Sequence, residues 1–383
     1  MTPDQPTTPK PFRRWYQYSL RTLLIFVTLF AVACSWFAVK LQQARRQREA
    51  VEALVKLGCN VTYSYGVQPP GPEWLRNLLG VDFLSNVLVV SGSSNDITDA
   101  DLEHLKALPQ LQWIEFRSDK ITDSGLEKLK GLKTLQTITL QNANITNDGL
   151  KNLKYLANLQ NLCLANVPIG DAGLEHINEL SQLQLLQIWN TKITDAGLNH
   201  ITSLTKLQHL YIGDDKDANI TDAGLEHLKV FTQLQSLQLW NVKITDASLN
   251  CLGRLTQLQE LYLGNANITN AGLEHLQELT KLVQLDLSYT NITDEGLDCL
   301  KVLTQLHTLG LHRTGITDAG IERLKVLPQL QDLDIGDNSI SDSALERLKE
   351  LTKLKSLNID KTQITDAGVK DLQKALPNLK IER

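Results

Sequence analysis

Three groups of residues have the types and spacing to do chemistry. Asp215, Asp217 and Asn219 run as D-x-D-x-N, the opening of a calcium loop, and Glu226 holds the twelfth place where such a loop puts its last carboxylate. The glycine that the loop needs for its turn is replaced by Ile220, so the reading is a solvated acidic turn, with a looser cation site as the alternative. Five of the eight histidines, His104, His176, His200, His227 and His275, share one slot of a repeat. An imidazole ladder would suit a metal or a pH response. Neighbouring helix-side slots lie ~10 Å apart, however, too far for two rings to share an ion at ~2 Å per bond. Third, Thr-Asp follows a regularly spaced isoleucine again and again. Either side chain can accept the orphan N–H groups at a helix start, so this is a structural device and not a recurring catalytic acid. No C-x-x-C, H-E-x-x-H, Walker loop, G-x-S-x-G or dinucleotide fingerprint is present. The expectation is a non-enzyme with no catalytic residue, no metal and no cofactor.

The element that positions these residues is a repeat. Ile97, Ile121, Ile145, Ile169, Ile193, Ile220, Ile244, Ile268, Ile292, Ile316, Ile340 and Ile364 are 24 residues apart, except for one step of 27 between Ile193 and Ile220. Such a period marks a solenoid, whose function usually lies on one long concave face. One unit, Leu258 to Lys281, reads LQELYLGNANITNAGLEHLQELTK. Leu258, Leu261, Leu263 and Ile268 must point inward, because one short strand cannot bury them without neighbours. Leu273, Leu276 and Leu279 follow at a spacing of three, which predicts a short helical segment against the same core.

The opening of the unit matches L-x-x-L-x-L-x-x-N/C-x-L, and I-T-D-A-G-L is spelled in full at Ile193–Leu198 and Ile220–Leu225. The chain thereby resembles the cysteine-containing, or ribonuclease-inhibitor-like, leucine-rich repeats. With its N-terminal apolar segment it is similar to bacterial proteins built from one membrane anchor, a short cap and such repeats. The resemblance implies an α/β solenoid, a curved horseshoe with parallel strands on the concave face and short helices on the convex face. It implies no single activity. One departure matters: the ninth position, counted from the first leucine, is Asn only at Asn95 and Asn338, so a continuous asparagine ladder is not expected there. Alanine and valine at that position leave turn backbone groups for other partners to satisfy.

A net charge of −5 argues against a generally basic nucleic-acid binder. Cys34, Cys59, Cys163, Cys251 and Cys299 form no recognisable disulfide framework, and the redox compartment stays open. Thr22 to Val39 carries no charge. Eighteen helical residues span ~27 Å, enough for a bilayer core. Trp15, Tyr16 and Tyr18 before it and Trp36 and Phe37 at its end suit the two interfaces. Ala31-Val32-Ala33-Cys34 also resembles a lipoprotein cleavage site, but the apolar run continues past it, which favours an uncleaved anchor. Basic residues balance across the span: Lys10, Arg13, Arg14 and Arg21 against Lys40, Arg45, Arg46 and Arg48. The family resemblance favours repeats outside the cytoplasmic membrane.

The organisation expected is therefore a tail (1–21), a transmembrane helix (22–39), a juxtamembrane helix (40–58), an N-terminal cap (59–86) and about twelve repeats (87–383). In the juxtamembrane helix Leu41, Ala44, Val51, Leu54 and Val55 form one apolar side, and Trp74, Leu75, Leu78 and Leu79 should cover the open end of the first repeat. Positions three, five, seven and eight of each unit should face the concave side, and most hold small polar residues. Trp189, Tyr211, Trp240 and Tyr262 are the exceptions, from four consecutive repeats, with His209 and Glu260 beside them. At ~4.8 Å per strand they would form one patch ~15 Å long, the kind of aromatic anchor that binding surfaces use. Asp286, Asp332 and Asp334, with Asp337 and Asp360, make a second, acidic patch. The reading is a membrane-tethered binding or scaffold protein that offers its concave face to a protein, peptide or glycan. The alternative is a cytoplasmic adaptor like the ubiquitin-ligase substrate receptors that carry similar repeats. Neither reading fixes the oligomeric state.

Overall fold

A computed structural model describes residues 20–66 and 69–383, the side chains of 215–218 excepted. The aromatic and basic residues before Leu20 and the carboxylates of Asp215 and Asp217 thus lie outside the described residues. Strands pair in chain order from β1 (Asn60–Tyr63) to β14 (Lys380–Glu382), giving one 14-stranded sheet. β1 runs antiparallel to β2 (Val87–Gly92), and every later pairing is parallel. Each parallel pair is joined through a short helix or 3₁₀ segment on the outer side. Strands pack at ~4.8 Å while helical segments need ~8–10 Å, so the stack bends with the sheet inside. The inward leucines and the spaced isoleucines are buried: Leu258, Leu261, Leu263, Ile268, Leu273 and Leu279 are all at 0 % exposure. Both expectations, the parallel solenoid and its core, are met.

Thr-Asp has a role that a capping argument alone does not contain. The threonine caps its own helix: the Thr194 side chain accepts from the Ala196 N–H at 3.3 Å. The aspartate reaches into the next repeat. Asp171 accepts the Thr194 N–H at 2.8 Å and its hydroxyl at 2.7 Å. The same rung recurs from Asp99 to Thr122, Asp195 to Thr221, Asp246 to Thr269 and Asp342 to Thr365. The exceptions keep the scheme. Asn270 accepts the Thr293 N–H and donates to its hydroxyl, and Asn147 accepts from the Gly170 N–H. The first repeat has no predecessor among the units, and its own Asp101 accepts both the N–H and the hydroxyl of Thr98. The glycine of I-T-D-A-G makes room for this carboxylate: a Cβ at Gly149 would lie 2.1 Å from Asp123 Oδ1. Ser248 and Ala344 occupy that place in two repeats, so the carboxylate can give way to one small side chain.

The turn after each strand answers the missing ladder. At position nine Thr290, Thr314 and Thr362 donate to the carbonyls of Leu287, Leu311 and Ile359, and Asn338 donates to three carbonyls including Leu311. Asparagine stands at position eight before Ala143, Val167, Thr191, Val242 and Ala266. Asn142, Asn166, Asn190, Asn241 and Asn265 all have φ between 50° and 59°, the left-handed region that asparagine tolerates. Their N–H groups point at position seven of the next repeat, as in Asn166 to Trp189 O at 2.9 Å. Their side chains also link: Asn190 to Asn166 at 2.8 Å and Asn166 to Asn142 at 2.9 Å. The three extra residues of the longer unit are taken up as irregularities between Gly213 and Ala218 and between Ala218 and Thr221, in a strand that runs His209–Thr221.

The N-terminal end corrects two expectations. One helix, α1 (Leu20–Lys56), covers the expected span and the juxtamembrane helix without a break. Its apolar window is 0 % buried, while its C-terminal part buries Ala44, Gln47, Ala50 and Leu54, with Gln47 against the cap and Ala50 and Leu54 in the core with the first repeat. Val55, expected on that side, is 53 % exposed. The buried stripe follows the helical period Ala44–Gln47–Ala50–Leu54 even though that period places a glutamine inside, where Gln47 donates to Asp82 and to the Ser85 carbonyl. The second correction concerns α2 (Glu73–Leu79), which buries no residue; Trp74 and Leu78 are 66 % and 71 % exposed. The open end is covered by α1, Cys59 and β1 instead.

Two outcomes test the inter-repeat rung. Asp171→Ala should cost about 1–3 kcal/mol in denaturant unfolding, since it strips two donors of a charged acceptor, whereas Asp171→Asn should cost less, as Asn270 does the same work. Accepting the Thr365 N–H and hydroxyl holds Asp342 below its ordinary value of 3.8. A lowered folded-state pKa stabilises above the unfolded value and stops doing so as pH falls through the folded one. Amide exchange in 364–376 should therefore quicken on acidification below pH 3.8, and Asp342→Asn should remove that part of the pH dependence.

Candidate functional site

Alternation along each strand sends positions four and six into the core and leaves positions three, five and seven half-exposed on the inner face. Register then fixes the rows. Trp189 pairs with Gly213 and Gly213 with Trp240, so both indoles stand in row seven. Tyr211 pairs with Gln238 and Gln238 with Tyr262, so both phenols stand in row five. His209 and Glu260 stand in row three. The six expected residues share one face, with the four rings divided between two rows.

Row seven works by placing a ring over a glycine. A Cβ at Gly213 would lie 2.5 Å from the Trp189 ring, and one at Gly264 would lie 2.1 Å from the Trp240 ring. His312 repeats the arrangement over Gly336, at 2.6 Å. Each ring lies against the sheet because the next repeat offers no side chain there. Across Gly264, Trp240 meets Tyr289 edge-on at 6.2 Å; Tyr289 meets His312 at 5.2 Å, and the Arg313 guanidinium sits 5.8 Å from the Tyr289 ring centre. The ring series thus continues toward the C-terminus through residues that the sequence reading passed over. Tyr289 was findable: it occupies position eight, one of the outward positions, and is 40 % exposed. The His312 and Arg313 contacts depend on the glycine gaps and have no signal in spacing alone.

Hydrogen bonds fix rows three and five. Glu260 accepts from the Ser236 hydroxyl at 2.7 Å, and the Tyr262 hydroxyl donates to Gln284 Oε1. The Tyr211 hydroxyl lies 3.4 Å from His209 Nδ1. Burial holds the Tyr211 and Tyr262 hydroxyls above the ordinary phenol range, so both remain neutral donors at pH 7. Cys163, also in row five, is pushed up by burial, and Cys59 and Cys251 rise to about 11. These thiols stay protonated and are poor nucleophiles. The cysteines among the described residues are free. Among the described residues no group of three or more His, Cys, Asp and Glu is placed to hold a metal.

The acidic patch lies next along the same face. Asp286, Asp332 and Asp334, with Tyr262, Asn358 and Glu382, wall a cleft of about 290 Å³ over Gly310. Gly310 pairs between Asp286 and Asp334 in row five, and the Asp286 carboxylate lies over it: a Cβ there would be 2.3 Å from Asp286 Oδ1. Asp286 accepts from the Ser288 N–H at 3.0 Å, and Asp334 from the Gly336 N–H at 2.9 Å. Asp337 and Asp360 stand outside it and pair with Arg313 and Lys361.

Ring over glycine is a pairwise constraint with a measurable signature. Gly264→Ala should cost about 1–3 kcal/mol by overpacking and should change the near-ultraviolet circular dichroism of the indoles. Adding Trp240→Ala to that variant should restore most of the lost stability. If Gly264→Ala alone is silent by both readouts, the ring does not lie where the structure puts it.

Two family models match the chain, each described as a leucine-rich repeat, over residues 232–292 and 350–372. Among solved structures, an internalin (inlF) of Listeria monocytogenes is similar at TM-score 0.55 and 24 % identity, over 75 % of this chain and 88 % of that one. A leucine-rich-repeat protein of Leptospira interrogans aligns at TM-score 0.42 and 16 % identity, over 73 % of this chain and 92 % of that one. No curated protein matches the sequence. Sequence matches and strand register agree that the described array is a leucine-rich-repeat solenoid.

Proposed function

We propose that this chain is a non-enzymatic binding protein, held at a membrane by the 22–39 segment and presenting its concave face to a protein, peptide or glycan. One observation carries the reading: the six-membered rings of Trp189 and Trp240 lie over Gly213 and Gly264 on a face of mostly small residues. Half-exposed rings seated over glycines lose little freedom on binding, which is how aromatic anchors gain affinity. The neighbouring carboxylates Asp286, Asp332 and Asp334 favour a basic segment of a partner over an acidic one. The anchor reading is supported by an apolar helical window with a mean hydropathy of 2.3 that is 0 % buried among the described residues. The internalin likeness supports the fold and leaves the ligand open.

The test uses the full chain, solubilised from membranes. Trp189→Ala and Trp240→Ala should each weaken capture of a partner by ~2 kcal/mol or more, with a melting temperature close to wild type. The opposite order, unchanged capture with lowered melting, would make the rings a packing stripe. Before solubilisation, carbonate washing should leave the chain in the membrane pellet, and its mass should include residues 22–39; a mature chain starting at Cys34 would replace the helical anchor with a lipoprotein one.

A further inference from the structure

We infer that the corner formed by α2 and α3 (Val81–Leu84) is a second membrane contact, which sits in the headgroup layer and binds an anionic phospholipid. The inference rests on the anchor reading of 22–39 and goes beyond it. Phe37 belongs to the apolar span, and Phe83 of α3 meets it at a ring distance of 5.3 Å. A bilayer that covers Phe37 must therefore reach this corner. Trp74 and Leu78 stand one helical turn apart on α2, both largely exposed, although α2 is part of the cap. A tryptophan and a leucine on one side of a short helix beside a span are what a membrane interface takes up.

Charge points to the same occupant. Between α1 and α2 lies a cleft of about 400 Å³, lined by Leu41, Arg45, Arg48, Arg76, Leu78 and Gly80 among others. Residues 40–48 carry Lys40, Arg45, Arg46 and Arg48 and no acid. Arg48 is spoken for by Asp82 at 3.4 Å, and Arg76 donates to the carbonyls of Pro69 and Gly71. Arg45, in the same cleft, has no partner among the described residues. It stands six residues past Val39, ~9 Å along the helix axis. The headgroup layer extends ~5–8 Å beyond the hydrocarbon, and an arginine side chain reaches back over several ångströms, so its guanidinium meets lipid phosphate. An anchor and a side contact together would fix the tilt of the horseshoe relative to the bilayer, which a single helix leaves free.

The experiment places the full chain in vesicles of phosphatidylcholine, with or without phosphatidylglycerol. A trace of each lipid carries a diazirine near the headgroup, and labelled peptides are located by mass spectrometry. We expect labelling in 73–84 as well as at the end of the span, and more from phosphatidylglycerol than from phosphatidylcholine. Arg45→Gln should reduce that preference about fivefold, the factor one basic residue supplies at an anionic surface. Trp74→Ser with Leu78→Ser should remove labelling of 73–84 and leave that of the span, with an unchanged melting curve to show that the array is folded. A chain retained through carbonate and labelled along the span, but unlabelled in 73–84, overturns this inference and leaves the anchor. Equal labelling from the two lipids, or a preference untouched by Arg45→Gln, overturns the phosphate site. Release by carbonate overturns the anchor first, and the corner contact with it.

Discussion

A carboxylate that crosses from one repeat to the next organises this array. Asp171 at Thr194 is one such rung, and its equivalents run from Asp99 to Thr365. Each rung satisfies an N–H at a helix start, where the backbone has no partner of its own. It also fixes the spacing of neighbouring repeats on the outer side, as the backbone ladder does on the inner side. The I-T-D-A-G-L spelling follows: isoleucine for the core, threonine to cap and receive, aspartate to send, glycine to let the incoming carboxylate pass, leucine for the core again. Two positions that look like helix capping are a capping residue and an inter-repeat tie. Because repeats meet only their neighbours, stability in such an array depends on these junctions as much as on each unit.

With the frame fixed from both sides, the inner face is free to vary. Its variation is organised by glycine. Gly213, Gly264 and Gly336 each admit a ring from the preceding repeat, and Gly310 admits the Asp286 carboxylate at the wall of the acidic cleft. The left-handed turn at position eight changes along the array, from asparagine in the first half to Tyr289, Arg313, Asp337 and Lys361 in the second. Tyr289, Arg313 and Lys361 bear a larger conformational cost at that backbone shape than asparagine or Asp337 does. They coincide with the stretch where position nine becomes Thr or Asn and carries the turn's hydrogen bonds. Side chains at position eight are thereby released from the asparagine ladder, and Tyr289 and Arg313 use that freedom to extend the ring series.

Most of the fold was legible because one period repeats and each position has one environment. Ile268 and Leu273 could be placed inside from spacing alone, and both are buried. The rung from aspartate to the next repeat was not legible, since a capping residue and a bridging one have the same spelling. At the N-terminal end there is no repeat to average over. Trp74 and Leu78 were expected to cover the first repeat, where Ala50, Leu54 and Cys59 do so. Of the candidate site, the face of each residue could be read from strand alternation. The rows followed from the same count, with Trp189 and Trp240 at position seven and Tyr211 and Tyr262 at position five; the contact from Trp240 to Tyr289 was not legible, because it passes over Gly264 in the intervening repeat.

The claim that the carboxylate rung holds neighbouring repeats together is tested most directly by a double-mutant cycle. Asp171→Ala, Thr194→Val and the pair would be compared by denaturant unfolding. If the carboxylate and hydroxyl stabilise the array through each other, the pair loses less than the sum of the singles, with a coupling of about 1 kcal/mol or more. Strict additivity would contradict the account, since the carboxylate and the hydroxyl of the next repeat would then share no stabilising free energy.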